Sequence, residues 1–315
     1  MDLQKKKTAV ATLSVVSNSC LVIMKLIVGA AIGSVSVLSE AIHSGVDLLA
    51  AMIALFAVRT SGRPSDKTHS FGHGKIENLS GAIEALLIFL AAGWIVYEAV
   101  DKLIVPRPLE NSVWGVGVMF ISSVVNIVVS QMLFKVGKAT DSMALQADAW
   151  HLRTDVWTSA GVMLGLGLIW IGEILIPNTH FHWIDPIAAI LVALLIVHAA
   201  WQLTIRSGRD LLDYTLPENE EKQIREYLAS LAPRIRGFHS LRTRKSGSDR
   251  FVEVHLEMDP QMSVLDSHTL ADEISVAIAS RLENVQVTVH VDPFDDSSND
   301  QVRNHASVNG SAPQN

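Results

Sequence analysis

The stretch VSVLSEAIHSGVDLLAAMIALFAVR (residues 35–59) is apolar over the length of a membrane-spanning helix, yet it carries a histidine and an aspartate near its centre. A helix needs about 20 mostly apolar residues to cross a bilayer. His43 and Asp47 are four residues apart, so a helix places both on one face. Ionisable side chains within a membrane span usually pair, bind an ion or line an ion path. The stretch therefore predicts a membrane helix with one polar, functional face.

The same spacing recurs in a second apolar stretch, as His151-Leu152-Arg153-Thr154-Asp155. Two such faces turned toward each other supply two imidazoles and two carboxylates, enough for a tetrahedral metal site. A structural hydrogen bond at a helix interface is the alternative for any one of these residues. Four ionisable groups with one repeated spacing favour the metal site.

Composition separates the chain into a membrane part and a soluble part. Hydrophobic residues make up 49% of its 315 residues and charged residues only 18%, against about a quarter in soluble proteins. The apolar segments fill the first two thirds, and the last third has an ordinary soluble composition. The net charge of −7 and the absence of a basic tract exclude nucleic acid as a partner. The single cysteine, Cys20, excludes an intramolecular disulfide and a cysteine-based zinc cluster.

Six apolar segments predict six transmembrane helices, over residues 9–32, 35–59, 76–105, 113–136, 142–176 and 183–205. Basic residues are unevenly distributed between the two sides. The outer side has Lys102 and Arg107 in its loops, whereas the inner side collects Lys5, Lys6, Lys7, Arg59, Arg63, Lys67, Lys75, Lys135, Lys138, Arg206 and Arg209. This asymmetry places both termini in the cytoplasm.

The last third predicts a small α+β domain. Residues 218–231 and 264–282 have the pattern of amphipathic helices, and residues 238–244, 250–258 and 285–291 have the pattern of strands. The order α-β-β-α-β favours a two-layer domain. We therefore expect a six-helix transmembrane domain over 1–210, a cytoplasmic domain over 211–293, and a polar, disordered tail over 294–315.

The loop between the second and third predicted spans holds a second group of possible metal ligands. Asp66, His69 and His73 converge if the loop curls, and Gly72 and Gly74 permit that. A solvated polar loop is the alternative, and the spacing alone does not decide between them.

The cytoplasmic domain holds a third group. His255 lies on a strand whose other face is apolar, so it points away from the core. His290 and Asp292 share the outer face of the last strand, His239 opens the neighbouring strand, and His268 lies on the second helix. Each alone suits a surface residue, but eight of the 12 histidines fall into the three groups, and this favours metal binding.

Together these segments resemble the cation diffusion facilitators. The resemblance rests on the two His-x-x-x-Asp motifs and on residues 70–77, 211–217, 239–244, 255–258 and 290–293, and it extends to about Pro293. The chain is most similar to the bacterial ferrous-iron efflux branch, whose members are zinc–proton antiporters. The resemblance implies a homodimer in the bacterial inner membrane that exports divalent metal ions in exchange for protons. Bound Zn²⁺ would also have a structural or regulatory role. Fe²⁺, Cd²⁺, Co²⁺ and Mn²⁺ are alternative substrates.

The resemblance also implies roles for individual residues. The transport site would comprise His43, Asp47, His151 and Asp155, and the loop site Asp66, His69 and His73. A pair of cytoplasmic metal sites would comprise His239, His255, His268, His290 and Asp292, with Asp292 as a bridge. Lys75 and Asp213 match a charge interlock that helps to hold the dimer.

Two positions depart from the family pattern. Bacterial relatives often have an aspartate in place of His43, so this chain has two nitrogens and two oxygens at the transport site. That donor set suits Zn²⁺ better than Mn²⁺, which prefers more oxygen ligands. Val291 replaces a polar residue beside His290, which predicts weaker binding of one cytoplasmic metal.

Three other classes of protein compete with a proton-coupled transporter. One is a passive channel, whose flux would be insensitive to a proton gradient. An intramembrane metalloprotease would need a His-Glu-x-x-His helix, and the sequence has no such motif, so we expect no enzymatic activity. A non-transporting metal sensor or assembly protein of the same fold is the alternative that sequence separates least well.

Overall fold

The computed structural model describes residues 3–32, 35–104, 113–175 and 183–295. The chain forms two compact units: the first comprises the residues up to Leu212 together with Ser246–Ser248, and the second comprises the residues after Leu212 apart from those three. We call the first the helical unit and the second the sheet unit. The predicted disordered tail lies outside the described residues from residue 296 onward.

Six long helices make up the helical unit, as predicted. They are α1 (Leu3–Ile32), α2 (Val35–Ser61), α3 (Lys75–Ile104), α4 (Val113–Ala139), α5 (Met143–Leu175) and α6 (Ile184–Leu211). Their ends differ from the prediction where charged residues flank an apolar run. Helix α1 already includes Lys5 to Lys7, and α6 continues past Ile205, because polar residues can extend a helix beyond its apolar part.

Five of these helices are long and apolar enough to cross a membrane. Helix α5 is the exception among the described helices, and its first half carries Asp148, Arg153 and Asp155. The sequence prediction of a span at this position rested on length and on the apolar second half.

Small side chains line the interior of the helical unit. On α2, four alanines are at most 1% exposed: Ala50, Ala51, Ala54 and Ala57. Small residues let neighbouring helices approach closely, as is typical of helix packing in membranes. Large apolar side chains such as Leu90, Trp94 and Leu195 are instead exposed, as expected for a surface that lies in lipid. Helix α1 packs against α2, α4 against α5, and α3 against α6.

The sheet unit has the predicted α-β-β-α-β order. Its elements are α7 (Glu218–Ala229), β1 (Gly237–Ser246), β2 (Asp249–Met258), α8 (Val264–Ala279) and β3 (Val285–Pro293). The sheet order is β1-β2-β3, so β2 is central. Its alternate residues Val252, Val254, Leu256 and Met258 are at most 1% exposed. They join Ile224 and Leu228 of α7 and Leu270, Ile274 and Ile278 of α8 in one core.

The pairing of β2 with β3 positions the polar face of the sheet. The strands are parallel, and their register puts His255 beside His290 and Glu257 beside Asp292. Because side chains alternate between the two faces of a strand, all four lie opposite the core face.

Candidate metal centres

Helices α2 and α5 bring their two His-x-x-x-Asp motifs together in crossed pairs. Nε2 of His151 lies 3.1 Å from Oδ1 of Asp47, and Nε2 of His43 lies 3.9 Å from Oδ1 of Asp155. The crossing follows from direction: the two helices run antiparallel, so the first residue of one motif meets the last residue of the other.

The two pairs lie at different depths. Asp47 and His151 are each only 4% exposed, whereas the side chain of His43 is 49% exposed and that of Asp155 is 19% exposed. The four residues thus form one buried layer and one open layer, and the cluster is accessible from the side of His43.

The distances suit a single ion. His43, Asp47 and Asp155 each offer one ligand atom, and these atoms lie within 4.8 Å of one another. His151 joins them through its contact with Asp47. Ligand atoms around tetrahedral Zn²⁺ are about 3.3 Å apart, given bonds of about 2.0 Å, so a small movement of side chains would close this cluster on a metal.

Two buried charged residues beside the cluster were not singled out from the sequence. Nζ of Lys25 on α1 donates a hydrogen bond to Oγ of Ser44, 2.8 Å away, next to His43, and both side chains are buried. Asp148 lies one helical turn before His151 and is fully buried. The available signal was a charged residue inside an apolar run, which is costly unless it has a role.

The loop from α2 to α3 folds so that its three predicted ligands meet. Nε2 of His73 lies 3.3 Å from Oδ2 of Asp66, and Nδ1 of His69 lies 3.5 Å from Oδ1. One ligand atom from each residue lies within 4.8 Å of the others. His73 is 8% exposed, whereas Asp66 and His69 are exposed.

Local hydrogen bonds hold the Asp66 carboxylate in this arrangement. Its Oδ1 accepts bonds from the hydroxyl of Thr68 at 2.7 Å and from the backbone amides of Thr68 and His69 at 2.8 and 2.7 Å. These donors favour the charged form, so they lower the pKa of Asp66 below its ordinary value. The carboxylate is therefore ionised and available to a cation at neutral pH.

In the sheet unit, Asp292 is the centre of the third cluster. Its Oδ2 lies 3.0 Å from Nδ1 of His255 and 3.4 Å from Nε2 of His239, and its Oδ1 lies 3.1 Å from Nε2 of His290. The two oxygens thus face different imidazoles. This geometry is compatible with the bridging position that the family resemblance implies.

Two further residues change the composition of this cluster. Oε1 of Glu257 lies 3.2 Å from Nδ1 of His239, and its position two residues after His255 on the same strand was the available signal. His268 does not join the cluster within this chain. It is on α8, its side chain is 71% exposed, and its Nε2 lies 3.5 Å from Asp272.

Comparison with known proteins explains the presence of both units. Residues 11–212 match the cation efflux transmembrane domain. Residues 216–294 match the cytoplasmic domain of cation efflux proteins. The chain belongs to the cation efflux family. The resemblance to the cation diffusion facilitators is thereby confirmed.

This chain aligns with individual relatives over most of their length. The uncharacterised transporter sll1263 of Synechocystis is 35% identical over 273 residues, which cover 87% of this chain and 86% of the relative. The cation-efflux pump FieF of Salmonella paratyphi A is 32% identical over 275 residues, covering 87% and 89%. The solved metal-bound C-terminal domain of the CzcD transporter from Thermotoga maritima is 31% identical, with a TM-score of 0.23, and covers 25% of this chain and 94% of that one.

Membership of the cation efflux family fixes the general activity. The chain is a multi-pass membrane transporter that exports cations, and its family is one of transporters rather than enzymes.

Proposed function

We propose that this cation efflux protein exports Zn²⁺ in exchange for protons, and that the crossed pairs His43–Asp155 and Asp47–His151 bind the transported ion. The observation that carries the proposal is the meeting of two imidazoles and two carboxylates from α2 and α5 within the helical unit. Two nitrogen and two oxygen donors suit tetrahedral Zn²⁺. Mn²⁺ is a weaker candidate because it prefers oxygen ligands. Fe²⁺, Cd²⁺ and Co²⁺ are the alternative substrates.

Proton coupling follows from the chemistry of the same ligands. An imidazole must be neutral to bind a metal, so metal binding and protonation exclude each other at His43 and His151. Protons that arrive from outside compete for the imidazoles and release the metal there. An inward proton gradient then drives metal outward, provided that the site opens alternately to the two sides.

The remaining ligand groups also bind metal in this proposal, with a regulatory role for the cluster of the sheet unit. We assign metal to the loop cluster of Asp66, His69 and His73 and to the sheet-unit cluster around Asp292. The matched cytoplasmic domain supports a homodimer, and we propose that this dimer lies in the bacterial inner membrane with both termini in the cytoplasm. In such a dimer the exposed His268 is available to the cluster of the second copy.

The test is metal-driven proton movement in proteoliposomes. Zn²⁺, Cd²⁺, Fe²⁺, Co²⁺ and Mn²⁺ would be compared for the wild type and for Asp155→Asn, which keeps the shape of the ligand and removes its charge. Glu98→Gln is the matched control, because Glu98 is an exposed acid of α3 that pairs with Lys102 at 3.2 Å, outside the cluster.

The expected result is zinc-driven proton counterflow that Asp155→Asn abolishes and Glu98→Gln preserves. Metal flux that is insensitive to the proton gradient would overturn the antiport mechanism and indicate a passive channel. Stoichiometric binding without flux, for every metal, would favour a metal sensor or assembly protein of the same fold.

A further inference from the structure

A buried ion pair joins the start of α1 to the start of α3. Nζ of Lys7 lies 3.1 Å from Oε1 of Glu77, and their side chains are only 6% and 1% exposed. Neither residue belongs to the three metal clusters. A buried charge that loses its partner strongly destabilises the folded protein. The two charges can therefore stay buried only while the surrounding helices stay together and keep them paired.

The carboxylate of Glu77 also binds two other helices. The hydroxyl of Ser61, in the last turn of α2, donates to Oε1 at 2.7 Å. The hydroxyl of Ser142, directly before α5, donates to Oε2. One side chain of α3 therefore holds α1, α2 and the beginning of α5 together.

The neighbouring residues of α3 face α6 instead. Nδ2 of Asn78 donates to Oδ2 of Asp210 at 2.8 Å, and Nζ of Lys75 lies 3.4 Å from the carbonyl oxygen of Leu211. Helices α3 and α6 are thus bonded as a pair. Glu77 connects that pair to the helices that carry the metal ligands.

These contacts lie at one end of the helical unit, which we call the basic end. It contains the loops 62–74 and 140–142, and it is flanked by the basic residues Arg59, Lys75, Lys135 and Lys138. Between this end and the ligands, α2 and α5 are closely packed. Ala54 and Ala57 of α2 and Ala144 and Leu145 of α5 are at most 1% exposed, whereas His43 on the opposite side is half exposed.

We propose that the Lys7–Glu77 pair is the gate of the basic end. It holds that end shut while the transport site is open on the side of His43, and it separates when the site opens to the basic end. This inference rests on the proposed function, because only alternating access requires the basic end to open. The pair suits a two-state device, since each charge is either paired and buried or separated and hydrated.

The first test measures access to the packed layer in the absence of metal. Cys20 is the only cysteine of the chain, so Cys20→Ser provides a background on which Ala54→Cys is the single reporter. A charged, membrane-impermeant thiol reagent would be applied from the basic end. Glu77→Gln and Lys7→Met, each added separately, are expected to speed the labelling several-fold. The control reporter is Ala92→Cys, which is buried where α3 packs against α6, and its labelling should stay constant.

Equal labelling rates in the wild type and in both variants would overturn the gate. Faster labelling at both reporters would overturn it too, because that result indicates general loosening of the fold. Since no metal is present, neither outcome depends on which ion the protein carries.

A second test keeps Glu77 and Lys7 in place. Ser61→Cys and Ser142→Cys, on the Cys20→Ser background, would be joined by a short, reducible bis-thiosulfonate reagent. Cross-linking is expected to stop zinc transport, reduction to restore it, and zinc binding to persist throughout. Full transport by completely cross-linked protein would overturn the gate. Absence of transport in the uncross-linked wild type would instead overturn the proposed function.

Discussion

Nε2 of His151 lies 3.1 Å from Oδ1 of Asp47, across two helices whose motifs are separated by about a hundred positions in the sequence. Both residues are almost fully buried. The contact forms because α2 and α5 run antiparallel, so each histidine meets the aspartate of the other motif. A repeated motif on two helices thereby becomes one mixed nitrogen and oxygen site.

Asp47→Asn is expected to weaken zinc transport mainly because the transport site binds zinc less tightly, and only to a lesser degree because the protein unfolds. The amide is a poorer metal ligand than the carboxylate, and it leaves the buried His151 without a charged acceptor. We expect the zinc concentration for half-maximal flux to rise at least about 10- to 100-fold, the range seen when support to a metal ligand is removed. Flux assays in proteoliposomes measure this, and an unchanged half-saturation would contradict the assignment of Asp47.

His43→Asp is expected to change metal preference rather than abolish binding. The substitution replaces one nitrogen donor by an oxygen donor, and oxygen-rich sites favour harder ions such as Mn²⁺. The ratio of Mn²⁺ to Zn²⁺ flux should therefore rise. Competition between the two metals in one proteoliposome preparation tests this. A ratio equal to that of the wild type would show that His43 does not contact the ion.

Asp292→Asn is expected to lower metal binding by the sheet unit while leaving its fold intact. Asp292 contacts three imidazoles through its two oxygens, so one substitution affects three of the ligand pairs in the cluster at once. Metal titration of the full chain should show fewer tightly bound equivalents. Glu253→Gln is the matched control, because Glu253 is an exposed acid on the adjacent strand β2. An equal loss in both variants would contradict a specific site at Asp292.

Ile274→Ala is expected to destabilise the sheet unit. Ile274 is 1% exposed in the core between α8 and the sheet, and truncation of such a side chain destabilises by about 2–5 kcal/mol. Val276→Ala, on the same helix but 70% exposed, should change stability by less than about 0.5 kcal/mol. Hydrogen exchange of the β2 amides, followed by mass spectrometry, would show faster exchange only in the first variant. Equal exchange in both would contradict the assigned core.

The sequence predicted the helices better at their centres than at their ends. Apolar runs located all six long helices, because hydropathy depends only on neighbouring residues. The extension of α6 beyond Ile205 was missed, since Arg206 and Arg209 lower the hydropathy but do not stop a helix.

In the candidate sites too, the sequence determined local features, whereas contacts between distant segments depended on the tertiary structure. The sequence determined which residues share a face: a spacing of four on a helix, or of two on a strand, fixes that locally, as for His43 with Asp47 and for His290 with Asp292. Only the tertiary structure decided which faces meet. It paired the two membrane motifs in a crossed arrangement, brought Glu257 to His239, left His268 apart, and joined Lys7 to Glu77. Such contacts depend on helix direction and strand register, which are set by packing between segments distant in sequence.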